Sequence, residues 1–348
     1  MEPVADAPGP DVKLRCLQAA LAPATPGEPV QFIETHMSWV VLGRERVLKL
    51  KKPVRYPFLD FSTVQAREHN SREELRLNRR LAPGVYLGLL ALQWQDGVLA
   101  LVPEENLPAP GRTVDWVISM RRLPAARMLD RVIATGELLP RDVDALLDVL
   151  VPFYRHAPRA DLGANDYLRS VRDDLAESRR VLEMPRFGLP GVHSLLDRME
   201  SSLEGHLDIL RTRVRERRIV EGHGDLRPEH VCLVEPPAII DALEFDARLR
   251  EIDPFDELCF LGLECAMAGD AGIGPQLVAR CAVALDDHPP DALLHLHTAR
   301  RALLRARLSA AHLLDDDIRT PQKWLPQAAR YLGHAGAALD ALEARRAD

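Results

Sequence analysis

Residues 219–241 interrupt a half of the chain that is otherwise patterned for helices, and no other stretch restricts the fold as much. Ile219-Val220 reads as an apolar strand that runs into the Gly-flanked polar loop Glu221-Gly-His-Gly-Asp-Leu-Arg-Pro-Glu-His230. Val231-Cys-Leu-Val234 is a second strand, Pro236-Pro237 breaks the chain, and Ala238-Ile-Ile-Asp241 is a third strand ending on a carboxylate. With the hairpin pivoting on the proline pair, His230 lies opposite roughly Leu243 and near Asp241, and Asp225 sits in the loop feeding that end. Two carboxylates and an imidazole gathered in this way suit a divalent ion and a hydroxyl substrate. Carboxylates ligate hard cations, and an unliganded Asp accepts a hydroxyl proton.

The chain before this feature has the period of a sheet. Strands are expected at Val30–Thr35, Trp39–Leu42, Arg46–Lys51, Val85–Trp94, Val98–Val102 and Val114–Met120, with one helix from Ser62-Thr63 to about Arg80. Only five of the 45 basic residues are Lys, and three of them are Lys49, Lys51 and Lys52. Alternation puts Lys49 and Lys51 on one strand face, opposite Leu48 and Leu50. A compact ammonium there suits nucleotide phosphates; Lys51 and Lys52 read as the solvated end of the strand. On the helix, Glu74 shares a face with Leu77 and Leu81, whereas its neighbour Glu73 aligns with Leu77 and Arg80, which favours Glu74 as the lysine's partner. Beyond Arg121-Arg-Leu-Pro124 the pattern is helical: 128–135, 141–156, 167–182, 192–217, 256–268, 274–285, 290–314 and 321–345.

Assembled, these residues resemble the aminoglycoside phosphotransferase branch of the protein-kinase-like fold. His223-Gly-Asp-Leu226 is similar to the His-Gly-Asp-Leu catalytic loop of that branch, and Ile240-Asp241 to its metal-binding Asp after the following hairpin. Arg46-Val-Leu-Lys49 looks like its lysine strand, and Glu74 like that lysine's helix partner. Asp253-Pro-Phe-Asp256-Glu-Leu258 looks like the segment whose Asp braces the catalytic loop. The finer pattern is similar to a bacterial subfamily of uncharacterised phosphotransferase-like proteins. It comprises Glu34-Thr-His-Met-Ser-Trp39, Lys49-Leu-Lys-Lys-Pro-Val54, Phe58-Leu-Asp-Phe-Ser-Thr63, Glu74-Leu-Arg-Leu-Asn-Arg-Arg80 and Met120-Arg-Arg-Leu-Pro124. The motifs are specific as a set and run from about residue 29 to 310.

The resemblance implies an α+β, protein-kinase-like two-lobed fold. Residues 1–28, Pro/Ala-rich with one short helical pattern from Asp11 to Leu21, read as a loosely attached N-terminal arm; 29–120 are then a nucleotide-binding antiparallel-sheet lobe with one helix, and 121–348 a mostly helical lobe with the catalytic loop and acceptor-binding helices. It implies a small-molecule kinase that transfers the γ-phosphate of ATP, or GTP, to an acceptor hydroxyl, with Mg²⁺ or Mn²⁺. Asp225 is then the base or aligner for the acceptor, Asp241 a metal ligand, and Lys49, held by Glu74, the contact to the α- and β-phosphates. The connection containing His36 and Ser38 would cover the phosphates, and it lacks a Gly-x-Gly. His230 stands where the family has a metal-binding Asn; imidazole suits Zn²⁺ or Mn²⁺ better than Mg²⁺. The alternatives are a weak or inactive nucleotide-binding pseudokinase or scaffold, favoured by His230, and a metal-dependent hydrolase using His223, Asp225 and His230.

Composition excludes several other classes. At 348 residues, 47% hydrophobic and 28% charged, the chain has enough apolar material for two cores, and disorder is not expected. A formal charge of −7 provides no general attraction to nucleic acid or to anionic membranes, so the partner expected is a small molecule. Five cysteines without a C-x-x-C pair argue against a disulfide framework and for a reducing, cytoplasmic setting. The longest uncharged run, Leu81–Gln95, falls short of the ~18 apolar residues of a spanning helix. The oligomeric state is left open. The arginines at 211, 213, 215, 217 and 218 read as a solvated face, while Arg300, Arg301, Arg305 and Arg307 are candidates for meeting an anionic acceptor.

Overall fold

The computed structural model describes residues 8–22, 29–56, 59–315 and 320–344. Phe58 of the motif that ends at Thr63, and residues 1–7 and 23–28 of the N-terminal segment, lie outside the described residues. The chain forms two compact units, one of residues 1–128 and 230–248 and the other of 129–229 and 249–348. The proline hairpin thus belongs to the first unit, and the His-Gly-Asp loop to the second.

The first unit is built on a six-stranded antiparallel sheet: β1 (Gln31–Glu34), β2 (Ser38–Leu42), β3 (Arg46–Lys51), β4 (Tyr86–Gln95), β5 (Val98–Pro103) and β6 (Arg112–Arg121). Its order is β1-β2-β3-β6-β4-β5, so β3 is internal, with Lys49 opposite Val40 on one side and Ile118 on the other. Helix α1 (Pro10–Leu21) packs on β2 and β5. Leu17 is fully buried and Lys13 lies 2.7 Å from Asp115, so this segment is docked by an apolar side chain and an ion pair, not held loosely as an arm. Helix α2 (Val64–Asn78) starts where the Thr63 hydroxyl accepts the Ala66 N–H. The inner face of α2 carries Leu75, Leu77 and Glu74, and Arg67 forks onto Asp115 of β6 at 2.7 and 3.0 Å.

Later in the chain, Val231 pairs with Ile239 and Cys232 with Ala238. Continuing that register sets His230 opposite Ile240, whose N–H donates to the His230 carbonyl at 2.9 Å. The pairing is shifted by three residues from the expected partner, Leu243, because the reversal takes up residues 233–237 and is centred on Glu235, before the proline pair begins. The hairpin is tied to the rest of its unit by Ile239 N–H to the Leu81 carbonyl and Leu233 N–H to the Arg127 carbonyl.

The second unit is helical: α3 (Leu129–Thr135), α4 (Pro140–His156), α5 (Ala164–Leu182), α6 (Val192–Gly205), α7 (Leu207–Arg215), α8 (Pro254–Ala268), α9 (Ile273–Leu285), α10 (Asp291–Ala311) and α11 (Pro321–Ala344). A single helix was expected over 192–217. The chain breaks it at Gly205, a weak helix former, and at His206, which has φ −125° and turns its Nδ1 back to the Ser202 carbonyl. The core is the aliphatic faces of α5, α6, α10 and α11, with Leu196, Leu296, Ala299, Ala302, Ala335 and Leu339 fully buried. Alanine-rich positions on α10 allow close packing of α11 against it. Among the described residues no helix is long and apolar enough to cross a membrane.

Candidate active site

In the first unit, Lys49, Glu74, Asp241 and His230 come together although they are spread over 193 positions of sequence. Strand β3 delivers the Lys49 ammonium 2.8 Å from Glu74 Oε1 and 3.2 Å from Asp241 Oδ1. Burial pushes that ammonium's pKa down, but Asp241, Glu74 and Glu244 outweigh it and hold the group well above its ordinary value. Burial likewise raises the Glu74 carboxyl, and Lys49 and Lys51 reverse this, leaving it below its usual range. Glu73, the other sequence candidate, faces outward and pairs with Arg76 at 2.6 Å.

Asp241 follows the hairpin with φ +64°, a left-handed conformation that Asp tolerates better than most side chains. Its backbone N–H donates to the Tyr86 hydroxyl at 3.3 Å, and the next N–H, of Ala242, to Asn78 Oδ1 at 2.9 Å. Asn78 Nδ2 in turn donates to the Glu74 carbonyl, so one amide ties α2 to the segment bearing Asp241. The Asp241 carboxylate is half exposed, with His230 Nε2 3.6 Å from Oδ2. Two donors at that separation could share one ion, since bonds of roughly 2.1 Å each span it, so the pair is compatible with a divalent metal. On the β1–β2 connection His36 is exposed, with its carbonyl 3.5 Å from the Tyr56 hydroxyl. Ser38 is buried, and its N–H and carbonyl close the turn onto Thr35.

In the second unit, Val220–Glu221 pairs antiparallel with Glu251–Ile252, and the loop that follows carries Asp225. The loop is held from below by Glu257 of α8, whose carboxylate accepts the N–H groups of His223 at 2.9 Å and Gly224 at 2.6 Å and the Tyr154 hydroxyl at 2.8 Å. Gly224 has φ +88°, which a side chain would strain. The ring of buried His223 faces its own loop, its Nδ1 accepting the Asp225 N–H at 3.2 Å. Asp225 Oδ2 lies 2.9 Å from the guanidinium of Arg227, which also pairs with Glu229. The sequence pattern assigned the loop brace to an Asp of Asp253-Pro-Phe-Asp256; it is Glu257. Asp253 instead caps α8 through the Phe255 N–H and receives both arms of Arg213, and Asp256 receives Arg301.

No family model matches the chain. Uncharacterized proteins of Mycobacterium bovis and of two strains of Mycobacterium tuberculosis are each 30% identical over 294 residues. The match spans 82% of this chain but only 56% of theirs, so the chain corresponds to about half the length of these relatives. Among solved structures, APH(2'')-IIIa, determined with GDP and kanamycin, superimposes with a TM-score of 0.55 at 16% identity over 94% of this chain and 99% of that one. A thermostable mutant of aminoglycoside phosphotransferase APH(4)-Ia gives 0.51 at 13% identity, over 90% and 94%. Choline kinase from Cryptosporidium parvum gives 0.53 at 10% identity, over 91% and 90%. The chain has the aminoglycoside phosphotransferase and choline kinase fold.

Within this fold, several residues have places that sequence reasoning missed. Lys51, read as a solvated strand end, is 1% exposed and bonds Glu74 Oε2 and Glu244 Oε1, both at 2.6 Å. Arg213, read as part of a solvated face, is buried and bidentate to both Asp253 and Asp287. Three of the four α10 arginines are likewise committed inside the unit, Arg301 to Asp256 at 2.8 Å, Arg305 to Glu264 at 2.9 Å and Arg307 to Asp174 at 2.8 Å, while Arg300 lies 3.9 Å from Asp256. One signal for Lys51 was available in its alternation with Lys49 on β3; the arginines' acidic partners carried no comparable local mark.

Proposed function

We propose that the protein is a nucleotide-dependent small-molecule kinase that transfers the γ-phosphate of ATP or GTP to an acceptor hydroxyl. The observation that carries this reading is the Lys49 ammonium, set 2.8 Å from Glu74 and 3.2 Å from Asp241 on an internal strand of a kinase-fold sheet. Lys49 takes the α- and β-phosphates, and Glu74 fixes its direction. Asp241 and His230 would hold a divalent ion, Mg²⁺ or Mn²⁺, which when bound would neutralise charge on the phosphate oxygens. Asp225 aligns the acceptor hydroxyl and takes its proton, and its loop is kept in shape by Glu257. The surroundings of Asp225 include the cationic side chains Arg227 and Arg305 as well as the acidic Glu229 and Glu264. An all-acidic wall for a polycationic acceptor is not what this chain supplies, so the structural neighbours' names do not transfer as acceptors.

The test is phosphorylation of a metabolite pool with γ-labelled ATP, followed by identification of the labelled product. Asp225→Asn is expected to abolish labelling while leaving Mg·ATP stabilisation of the fold intact; unchanged turnover by that variant would sink the assignment. A second reading, a nucleotide-binding pseudokinase, is favoured by one feature, the imidazole of His230 in the metal-binding Asn position. It predicts Mg·ATP stabilisation without transfer to any acceptor. The hydrolase reading is disfavoured because His223 is buried and its Nδ1 is occupied by the Asp225 N–H.

A further inference from the structure

Asp241 leaves the hairpin in a left-handed conformation, so the N–H of the next residue falls outside the strand ladder and needs an acceptor of its own. The ladder ends at Ile240, whose N–H goes to the His230 carbonyl at 2.9 Å. Ala242 is 1% exposed, which keeps water from its N–H, and the acceptor it meets is Asn78 Oδ1 at 2.9 Å. Asn78 is itself fully buried at the last position of α2, and its Nδ2 donates to the Glu74 carbonyl one turn earlier, also at 2.9 Å. The Ala82 N–H donates to the Asn78 carbonyl at 2.8 Å, so the main chain at this helix end is fixed as well. Asn78 therefore cannot follow Ala242 without moving the end of α2. It stands in Glu74-Leu-Arg-Leu-Asn-Arg-Arg80, a motif of which the nucleotide site uses only the first residue.

These bonds close a ring inside the first unit. Glu74 holds Lys49 at 2.8 Å, Lys49 reaches Asp241 at 3.2 Å, one peptide bond joins Asp241 to Ala242, and Asn78 leads from Ala242 back to Glu74. The two closures differ in kind. Lys49 to Asp241 is an ion pair at a half-exposed carboxylate, and it is given up whenever Lys49 turns to phosphate and Asp241 to a cation. The Asn78 amide is buried and uncharged, and it has nothing to give up. We propose that Asn78 is a positioning residue, which keeps the segment bearing the Asp241 carboxylate in place relative to Glu74 when Lys49 no longer links the two. The hold of Asn78 on Ala242 is a claim about this chain alone; its consequence for metal and nucleotide rests on the kinase reading.

The test uses the full chain with Asn78→Ser and Asn78→Leu. A serine hydroxyl at this position can still bond the Glu74 carbonyl four residues back, but it is too short to reach Ala242. Leucine fills the space with no polar atom. The first readout is amide hydrogen exchange resolved to single residues. Ala242 is expected to be protected at least about a hundredfold in the starting protein and to exchange at least about tenfold faster in Asn78→Ser, while the amides of α8 and α10 keep their rates. An unprotected Ala242 amide in the starting protein overturns the proposal even if neither variant folds. Equal acceleration in every element, the mark of a general loss of stability, overturns it too. The second readout is the ratio of apparent ATP Kd without and with Mn²⁺, from thermal shift. Asn78→Ser is expected to lower that ratio about tenfold and to leave the metal-free Kd within about twofold, because Lys49 and Glu74 keep their contact. An unchanged ratio, or an equal loss of affinity with and without the ion, overturns the positioning role. A starting protein that ATP stabilises neither with nor without metal refutes the kinase reading, and exchange at Ala242 then still decides whether Asn78 holds the Asp241 segment.

Discussion

The carboxylate of Glu257 accepts the backbone N–H of Gly224 at 2.6 Å, from the residue immediately before Asp225. The same carboxylate takes the His223 N–H and the Tyr154 hydroxyl, so three buried donors depend on one side chain. Burial raises the carboxyl's pKa, and the donors from Gly224, His223 and Tyr154 only partly offset it. Glu257→Ala strands these donors, at about 1–3 kcal/mol for each one left unsatisfied. The expected loss is roughly 2–5 kcal/mol by urea denaturation, while Glu257→Gln, which keeps one acceptor oxygen, costs less. An Ala variant as stable as the starting protein would contradict the bracing role.

Glu74 leads to a pH prediction of the opposite kind. Its carboxyl is held below its ordinary 4.5 because Lys49 and Lys51 outweigh the burial that would raise it. A depressed acid contributes stability that is fully present above the unfolded value and is lost as pH falls through the folded one. The Lys49–Glu74–Lys51 linkage is therefore expected to be intact at neutrality and to weaken progressively below about pH 4.5. Thermal melts from neutrality down to about pH 3 should show a steeper loss for the starting protein than for Glu74→Gln, which has no charge to lose. Parallel curves for the two proteins would remove Glu74 from the acid response.

What could be read from the sequence follows how local each determinant is. Lys49 and Glu74 were accessible because strand alternation and the i, i+3 rule assign a residue to a face without reference to distant chain. Lys51 obeyed the same alternation, yet its burial depends on Glu244, 193 positions away, and an unpaired lysine would have stayed in water. Arg213 is the same case, buried only because Asp253 and Asp287 meet it from 40 and 74 positions away. The hairpin's existence was legible from Pro236-Pro237, but its register was not, because two prolines break a strand without stating which residues pair across the break. Helix α1 shows the reverse error: a Pro/Ala-rich flank hid a single Leu17 that the sheet buries completely.

The packing of α8 against α9 depends on two glycines. A methyl group at Gly262 would lie 2.7 Å from the Gly274 α-carbon, and one at Gly274 the same distance from Gly262. The obstacle is backbone, which cannot step aside as a flexible side chain would. Gly262→Ala therefore forces the helices apart, with an expected cost of about 1–3 kcal/mol in denaturant unfolding even though Ala is the better helix former. Because α8 also carries Glu257, the variant should lose stability and activity together. A stabilised Gly262→Ala protein would show that the contact is not tight.

His230 is where the chain departs most from the pattern it resembles, and substituting it gives the sharpest functional prediction. Its Nε2 sits 3.6 Å from Asp241 Oδ2, and the register of the hairpin holds it there through the Ile240 N–H. Imidazole is a softer donor than an amide oxygen and ranks Mn²⁺ or Zn²⁺ ahead of Mg²⁺, whereas an Asn carbonyl suits Mg²⁺. His230→Asn places a smaller polar side chain at a site already supported by backbone pairing, so the fold should survive with little change in stability. The expected outcome is a shift in metal preference: nucleotide-dependent stabilisation with Mg²⁺ strengthens relative to Mn²⁺, and any phosphate transfer measured with the two ions shifts in the same direction. Titrating each ion in the presence of nucleotide, for the starting protein and the variant, measures that ratio. If the Mg²⁺ to Mn²⁺ ratio is unchanged, His230 is a packing residue of the hairpin, and Asp241 alone is left to hold the ion.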